Sequence, residues 1–250
     1  MTTSVEQFNL PRRLVAEGFG TAFLVMAVVG SGIMAEQLSD GNVGIALLAN
    51  TIATGAALTT LILIFGAISG AHFNPIVSLC FALQRQLPWK DFSVYTAAQV
   101  TGAICGVITA HIMFELPFVS QATNVRTGAG IWMGEIVASF ALLAAIFGCL
   151  RARKDALPYA VGLIIMAGYW YTPSTSFANP AVTIARALSD TFAGIRPEDV
   201  SMFIVAQIIG AVLATIVFGW FSKKNIAETK PHYASSNFMQ RCSQSFARIF

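Results

Sequence analysis

A carboxylate inside an apolar run of sequence costs enough to need a reason, and this chain has two, Glu17 and Glu135. Such a group can relay a proton or hold an ion. It can equally accept hydrogen bonds from backbone N–H groups that no helix satisfies. The two sit at matching places: Ala16-Glu17 leads to Thr21-Ala22-Phe23-Leu24, and Gly134-Glu135 leads to Ser139-Phe140-Ala141-Leu142. That symmetry favours the structural role. A second pair is Asn74-Pro75-Ile76 and Asn179-Pro180-Ala181, each after small or polar residues and before a short helix-compatible run. Pro suits the first position of a helix, and Asn just before it can cap the end. Asn-Pro also marks ordinary turns; two copies inside apolar sequence point instead to two buried helix starts. A third pair, Ala98-Gln99-Val100-Thr101-Gly102-Ala103 and Ala206-Gln207-Ile208-Ile209-Gly210-Ala211, suits helix stitching through Gln and close approach through Gly.

The remaining reactive side chains are sparse. His72 stands two residues before Asn74 and has two readings, a pH gate or a hydrogen-bonded histidine, of which the second is favoured. His111 has no matching partner. Cys80, Cys105, Cys149 and Cys242 show no paired spacing, so three of them read as small buried thiols rather than as disulfides or metal ligands. No His, Cys and Asp constellation converges on a catalytic site. The expectation is therefore no enzyme, no metal and no cofactor.

The elements that must position these pairs are membrane-spanning. The 250 residues are 56% hydrophobic and 11% charged, with mean hydropathy +0.68, against about 25% charged in ordinary soluble proteins. Six runs long enough to span are expected at about 12–35, 43–66, 90–114, 130–150, 157–172 and 199–221. The fifth is short, and Tyr169, Trp170 and Tyr171 at its end suit an interface anchor. The pieces 74–84 and 179–189 are too short to cross and read as half-helices entering from opposite faces. The N-terminus opens with polar residues and Arg12-Arg13 runs straight into a full-length span, unlike a cleavable leader.

Charge sets the orientation. With both termini cytoplasmic, 12 of the 15 basic residues lie inside, and only Arg126, Arg186 and Arg196 remain outside. The net charge of +3 then reflects membrane orientation and not nucleic-acid binding. The expected organisation is a cytoplasmic segment 1–11, a channel domain 12–221 with repeats at about 12–118 and 128–221, and a mobile cytoplasmic tail 222–250. Three spans per half make the second half inverted relative to the first.

With its paired Glu, Asn-Pro and Gln-x-x-Gly blocks in one order over about residues 12–221, the chain resembles the aquaporin, or major intrinsic protein, superfamily. The resemblance implies an all-α membrane protein with six transmembrane helices plus two re-entrant half-helices in an inverted 3+3 repeat. It also implies an hourglass pore, a homotetramer in the cell (inner) membrane, and passive conduction of water or small neutral solutes. Asn74 and Asn179 are then expected to present side-chain amides to the solute while their backbones cap the half-helices, whose dipoles repel cations. His72 falls near the cytoplasmic vestibule.

Water-selective members resemble one another in a narrow outer ring of Phe, His, a small residue and Arg. Counted from the boxes, this chain supplies Thr54, Gly168, Ser176 and Val182. Val182 stands where the family's second box usually continues with Arg, so a fixed cation with up to five donors is replaced by a branched apolar stub. Arg186, one turn beyond on the same face, has two readings, a partial restoration of the positive potential or a place at the outer surface, of which the second is favoured. A wide, uncharged ring suits glycerol, urea or undissociated metalloid hydroxides. Asn-Pro-Ile, Thr54 and Val182 together look like a bacterial subgroup associated with arsenic handling, which points to arsenous acid. The rival within the class is a glycerol facilitator or broad polyol channel; its usual aromatic wedge and Arg are missing here. The rival outside it is an ion-coupled secondary transporter using Glu17 or Glu135.

Overall fold

Asparagine and proline punctuate the chain at four helix starts. The side chain of Asn9 accepts from the Arg12 N–H and that of Asn42 from the Ile45 N–H, opening α1 (Leu10–Leu38) and α2 (Val43–Ser69). Asn74 and Asn179 do the same for the two short helices, α3 (Pro75–Leu83) and α7 (Pro180–Arg186), each with Pro in its first turn. Gly70 closes α2 in the left-handed conformation, at φ 89°. The remaining helices are α4 (Trp89–Met113), α5 (Ala129–Ala152), α6 (Leu157–Tyr171) and α8 (Pro197–Phe221), with one 3-10 turn at Lys154–Ala156. The computed structural model describes residues 8–222. The expectations for 1–7 and for the tail beyond Ser222, including Cys242, lie outside them. The chain divides into two compact units, Met1–Phe218, which holds the site described below, and Gly219–Phe250, whose described part is the end of α8 and Ser222.

Among the described residues, five helices are long and apolar enough to cross a membrane: α1, α2, α4, α5 and α8. The fifth expected span, α6, has 15 residues, about 22 Å of rise against about 30 Å of hydrocarbon. Two prolines bound it: Pro158 fixes its first turn and Pro173 ends it. Short α7 stops at Arg186, three residues before the expected end, because its last turn tightens: Ala187 and Leu188 N–H groups bond to Ile184 and Ala185 carbonyls.

The molecule is apolar outside and polar within. Phe19, Phe23, Leu63, Leu163 and Ile216 are exposed on helix faces, whereas Glu17, Gln99, Glu135 and Gln207 are fully buried. Apolar outer faces are what a lipid surround demands. Cys80 is buried; Cys105, expected to be buried, is exposed on the outer surface of α4 instead. Glycine sets the interior spacing. At Gly102 and Gly106 an added Cβ would overlap the carbonyls of Gly18 and Ala22, and at Gly210 that of Ile136. These contacts draw α4 onto α1 and α8 onto α5, a matched pair that frames the two half-helices. Helices α3 and α7 meet each other between these pairs.

Candidate functional site

Two loops in unusual conformations enter the protein's centre. Gly70, Ala71 and Phe73 in the first, and Thr175, Ser176 and Ala178 in the second, all have φ between 45° and 89°. For the five residues other than glycine this costs about 1–3 kcal/mol each, so the surroundings must enforce it. The buried carboxylates do so. Glu17 accepts from the Ser69 hydroxyl at 2.6 Å, the His72 N–H at 2.9 Å, the Phe73 N–H at 2.7 Å and the Gln99 amide at 2.8 Å. Glu135 accepts from the Phe177 and Ala178 N–H groups, each at 2.9 Å, and from the Gln207 amide at 2.7 Å. Gln99 and Gln207 also bond to Ser78 and Thr183 on the half-helices.

These bonds decide where the carbonyls go. In a trans peptide the C=O of one residue points opposite to the N–H of the next. With the N–H groups of His72, Phe73, Phe177 and Ala178 directed at carboxylates, the carbonyls of Ala71, His72, Ser176 and Phe177 face the other way. All four of those residues line a single cavity of about 370 Å³. Neither Glu17 nor Glu135 lines it. A coupling ion at either carboxylate would have to displace donors that hold the loops in shape.

Asn74 and Asn179 lie at the cavity wall, 5% exposed each. Their side-chain oxygens cap the half-helices, with Asn74 Oδ1 accepting from Ile76 N–H and Asn179 Oδ1 from Ala181 and Val182 N–H, while their backbone carbonyls accept from the Ser78 and Thr183 N–H groups. The amide nitrogens cross over. Asn74 Nδ2 donates to the Ala178 carbonyl at 2.7 Å and Asn179 Nδ2 to the Phe73 carbonyl at 2.8 Å. Each NH₂ has two hydrogens, so one remains for a molecule in the cavity. Pro75, Ile76, Pro180 and Ala181 are buried but do not line it.

The walls come from every fourth residue of four helices: Leu24 and Val28 on α1; Thr54, Leu58, Ile62 and Gly66 on α2; Leu142, Ile146 and Leu150 on α5; Val161, Ile165 and Tyr169 on α6. Each is a single helical stripe, apolar except at the end marked by Thr54 and Tyr169. Ser176 and Val182 line the same cavity. Gly168 is placed elsewhere: it backs Ser176, whose side chain would overlap any Cβ at that position. Its neighbour Tyr169 takes the wall, 4% exposed, with its hydroxyl 3.3 Å from Thr54 Oγ1. Tyr169 is thus no interface anchor, whereas Trp170 and Tyr171 are about half exposed. The signal was its i+4 spacing from Ile165 and Val161.

Arg186 is also not where the sequence suggested. It is 2% exposed and lines the cavity beyond Val182, with Nε donating to the Ala193 carbonyl and its guanidinium 3.4 Å from the Phe177 ring centre. His72 lines the cavity at the end near Gly66 and Lys154; its Nδ1 is 3.0 Å from Ser78 Oγ and its ring packs on Phe81 and Tyr95. His111 bonds Pro117 O and Ser189 Oγ, away from the cavity.

Two half-helix starts, cross-bonded by their asparagines at the wall of one cavity, agree with the sequence comparison. Residues 4–175 and 153–249 match the Major intrinsic protein family. The chain belongs to that family. As a major intrinsic protein it is a multi-pass membrane protein of a channel family, with the aquaporin-like helical fold. It is 50% identical over 233 residues to Aquaglyceroporin AqpS of Rhizobium meliloti (strain 1021), covering 92% of this chain and all of that one. It is 28% identical to Probable aquaporin NIP4-2 of Arabidopsis thaliana, over 94% of this chain and 83% of that one. The solved aquaglyceroporin from Plasmodium falciparum shares the fold, with TM-score 0.65 and 22% identity over 87% of this chain and 97% of that one.

Proposed function

We propose that this major intrinsic protein is a passive channel for small uncharged solutes, arsenous acid and related metalloid hydroxides or polyols, with some water. The observation that carries the reading is the ring of Thr54, Tyr169, Ser176 and Val182, which offers three hydroxyls and one branched apolar side chain and no fixed charge. Below it the lumen has apolar stripes on one side and turned-in carbonyls on the other, an arrangement suited to a compact molecule with several hydroxyls. Arsenous acid is neutral at physiological pH and of that shape. Glycerol fits the same description, and a relative named an aquaglyceroporin favours it equally.

The same reading takes 12–221 as the channel domain, in two inverted halves, within a homotetramer in the inner membrane and with both termini cytoplasmic. Purified protein in liposomes should pass arsenous acid or glycerol faster than empty vesicles do. Equal rates for both solutes would overturn the proposal, and flux that needs a proton or sodium gradient would favour a coupled transporter.

A further inference from the structure

We propose that Arg186 is the charge-selecting residue of this pore, and that selection by charge and selection by size occur at different levels along it. The inference rests on the channel reading above and assigns a role that the ring does not contain. Arg186 stands one helical turn, about 6 Å, beyond Val182 on α7. Its Nε is spent on the Ala193 carbonyl, and its face is stacked on Phe177. A second guanidinium, that of Arg126, lies 5.0 Å from the same ring and bonds to the Gly194 carbonyl and Thr175 hydroxyl. Among the described residues no carboxylate pairs with either arginine; the ion pairs belong to Arg13, Arg153 and Arg196. Glu135, the nearest buried acid in the loop framework, is committed to backbone N–H groups.

The two Nη groups of Arg186 have no protein partner among the described residues, yet they are not sealed in the interior. They face the cavity that Arg186 lines. Among the described residues no Asp or Glu lines that cavity, and the formally charged residues that do are Arg186 and Lys154. A fixed cation with no carboxylate in direct ion pair, set at a lumen walled by protein, opposes a permeating cation more strongly than it would in water. A neutral hydroxylated solute pays no such cost and finds N–H donors there. The ring of Val182 then sorts by width, and Arg186 sorts by charge.

The test uses the full chain in planar bilayers and liposomes, with potassium as the probe cation and glycerol as the neutral probe. Arg186→Leu and Arg186→Gln should raise potassium conductance about tenfold or more, while Arg186→Lys should stay potassium-tight. Val182→Arg should change the glycerol-to-water ratio without opening the pore to potassium. The inference is overturned if both neutral variants remain tight, or if the Lys variant leaks as they do. It also fails if both neutral variants do not insert while the Lys variant does, since the charge would then be structural. A wild-type chain that passes no neutral solute would instead defeat the channel reading.

Discussion

Val182 lines the cavity together with Thr54, Tyr169 and Ser176, and in the proposed function these four form its ring. A guanidinium in its place brings a long, multiply donating side chain into the ring, so Val182→Arg is expected to cut glycerol flux more than water flux. Stopped-flow light scattering on one vesicle preparation measures both, and an unchanged ratio would remove Val182 from the ring. Glu135 acts at the same scale but on stability. Glu135→Ala leaves the Phe177 and Ala178 N–H groups without their acceptor, at about 1–3 kcal/mol each. The purified variant should melt at a clearly lower temperature than the wild type in the same detergent. A melting point within error of wild type would mean that water or a neighbouring carbonyl takes over both bonds.

At the scale of elements, the helix pairs depend on backbone touching backbone. Gly102 on α4 meets the Gly18 carbonyl of α1, where no flexible side-chain tip is available to move aside. Gly102→Val should therefore cost more than the about 1–3 kcal/mol typical of overpacking, and reduce the yield of monodisperse protein on size exclusion. A same-sized change at Gly219, which has open space around it, should be tolerated. These elements were legible because each rests on short-range chemistry. Asn before Pro caps a helix, Gly lets helices touch, and apolar runs of spanning length give the long helices. The departures came from contacts distant in sequence. Arg186 looked exposed because a lone cation on a short helix normally seeks water; Phe177 and the Ala193 carbonyl, on either side of it in the chain, hold it inside. Tyr169 read as one of three aromatic anchors, although consecutive residues on a helix point about 100° apart. Gly168, counted into the ring from the boxes, lies directly behind Ser176 and is not itself among the residues that line the cavity.

At the scale of the whole molecule, no carboxylate lines the cavity among the described residues, which supports the passive channel proposed above. Glycerol entry into liposomes should rise in proportion to its gradient and be indifferent to imposed proton or sodium gradients. Native mass spectrometry of the purified protein should give a mass four times that of one chain; a monomer under conditions that preserve flux would overturn the homotetramer. The crossed asparagine bonds also bear on how the molecule is made. Asn74 waits for the carbonyl of Ala178, which follows 104 residues later. At about 5–20 residues per second of synthesis, that is roughly 5–20 s. During that interval the first half sits with its central amide unpaired at membrane depth, and the second half is what finally shuts the seam. A nascent chain halted before residue 178 should leave a cysteine placed at position 74 open to a small aqueous thiol reagent, and one halted after the last helix should protect it.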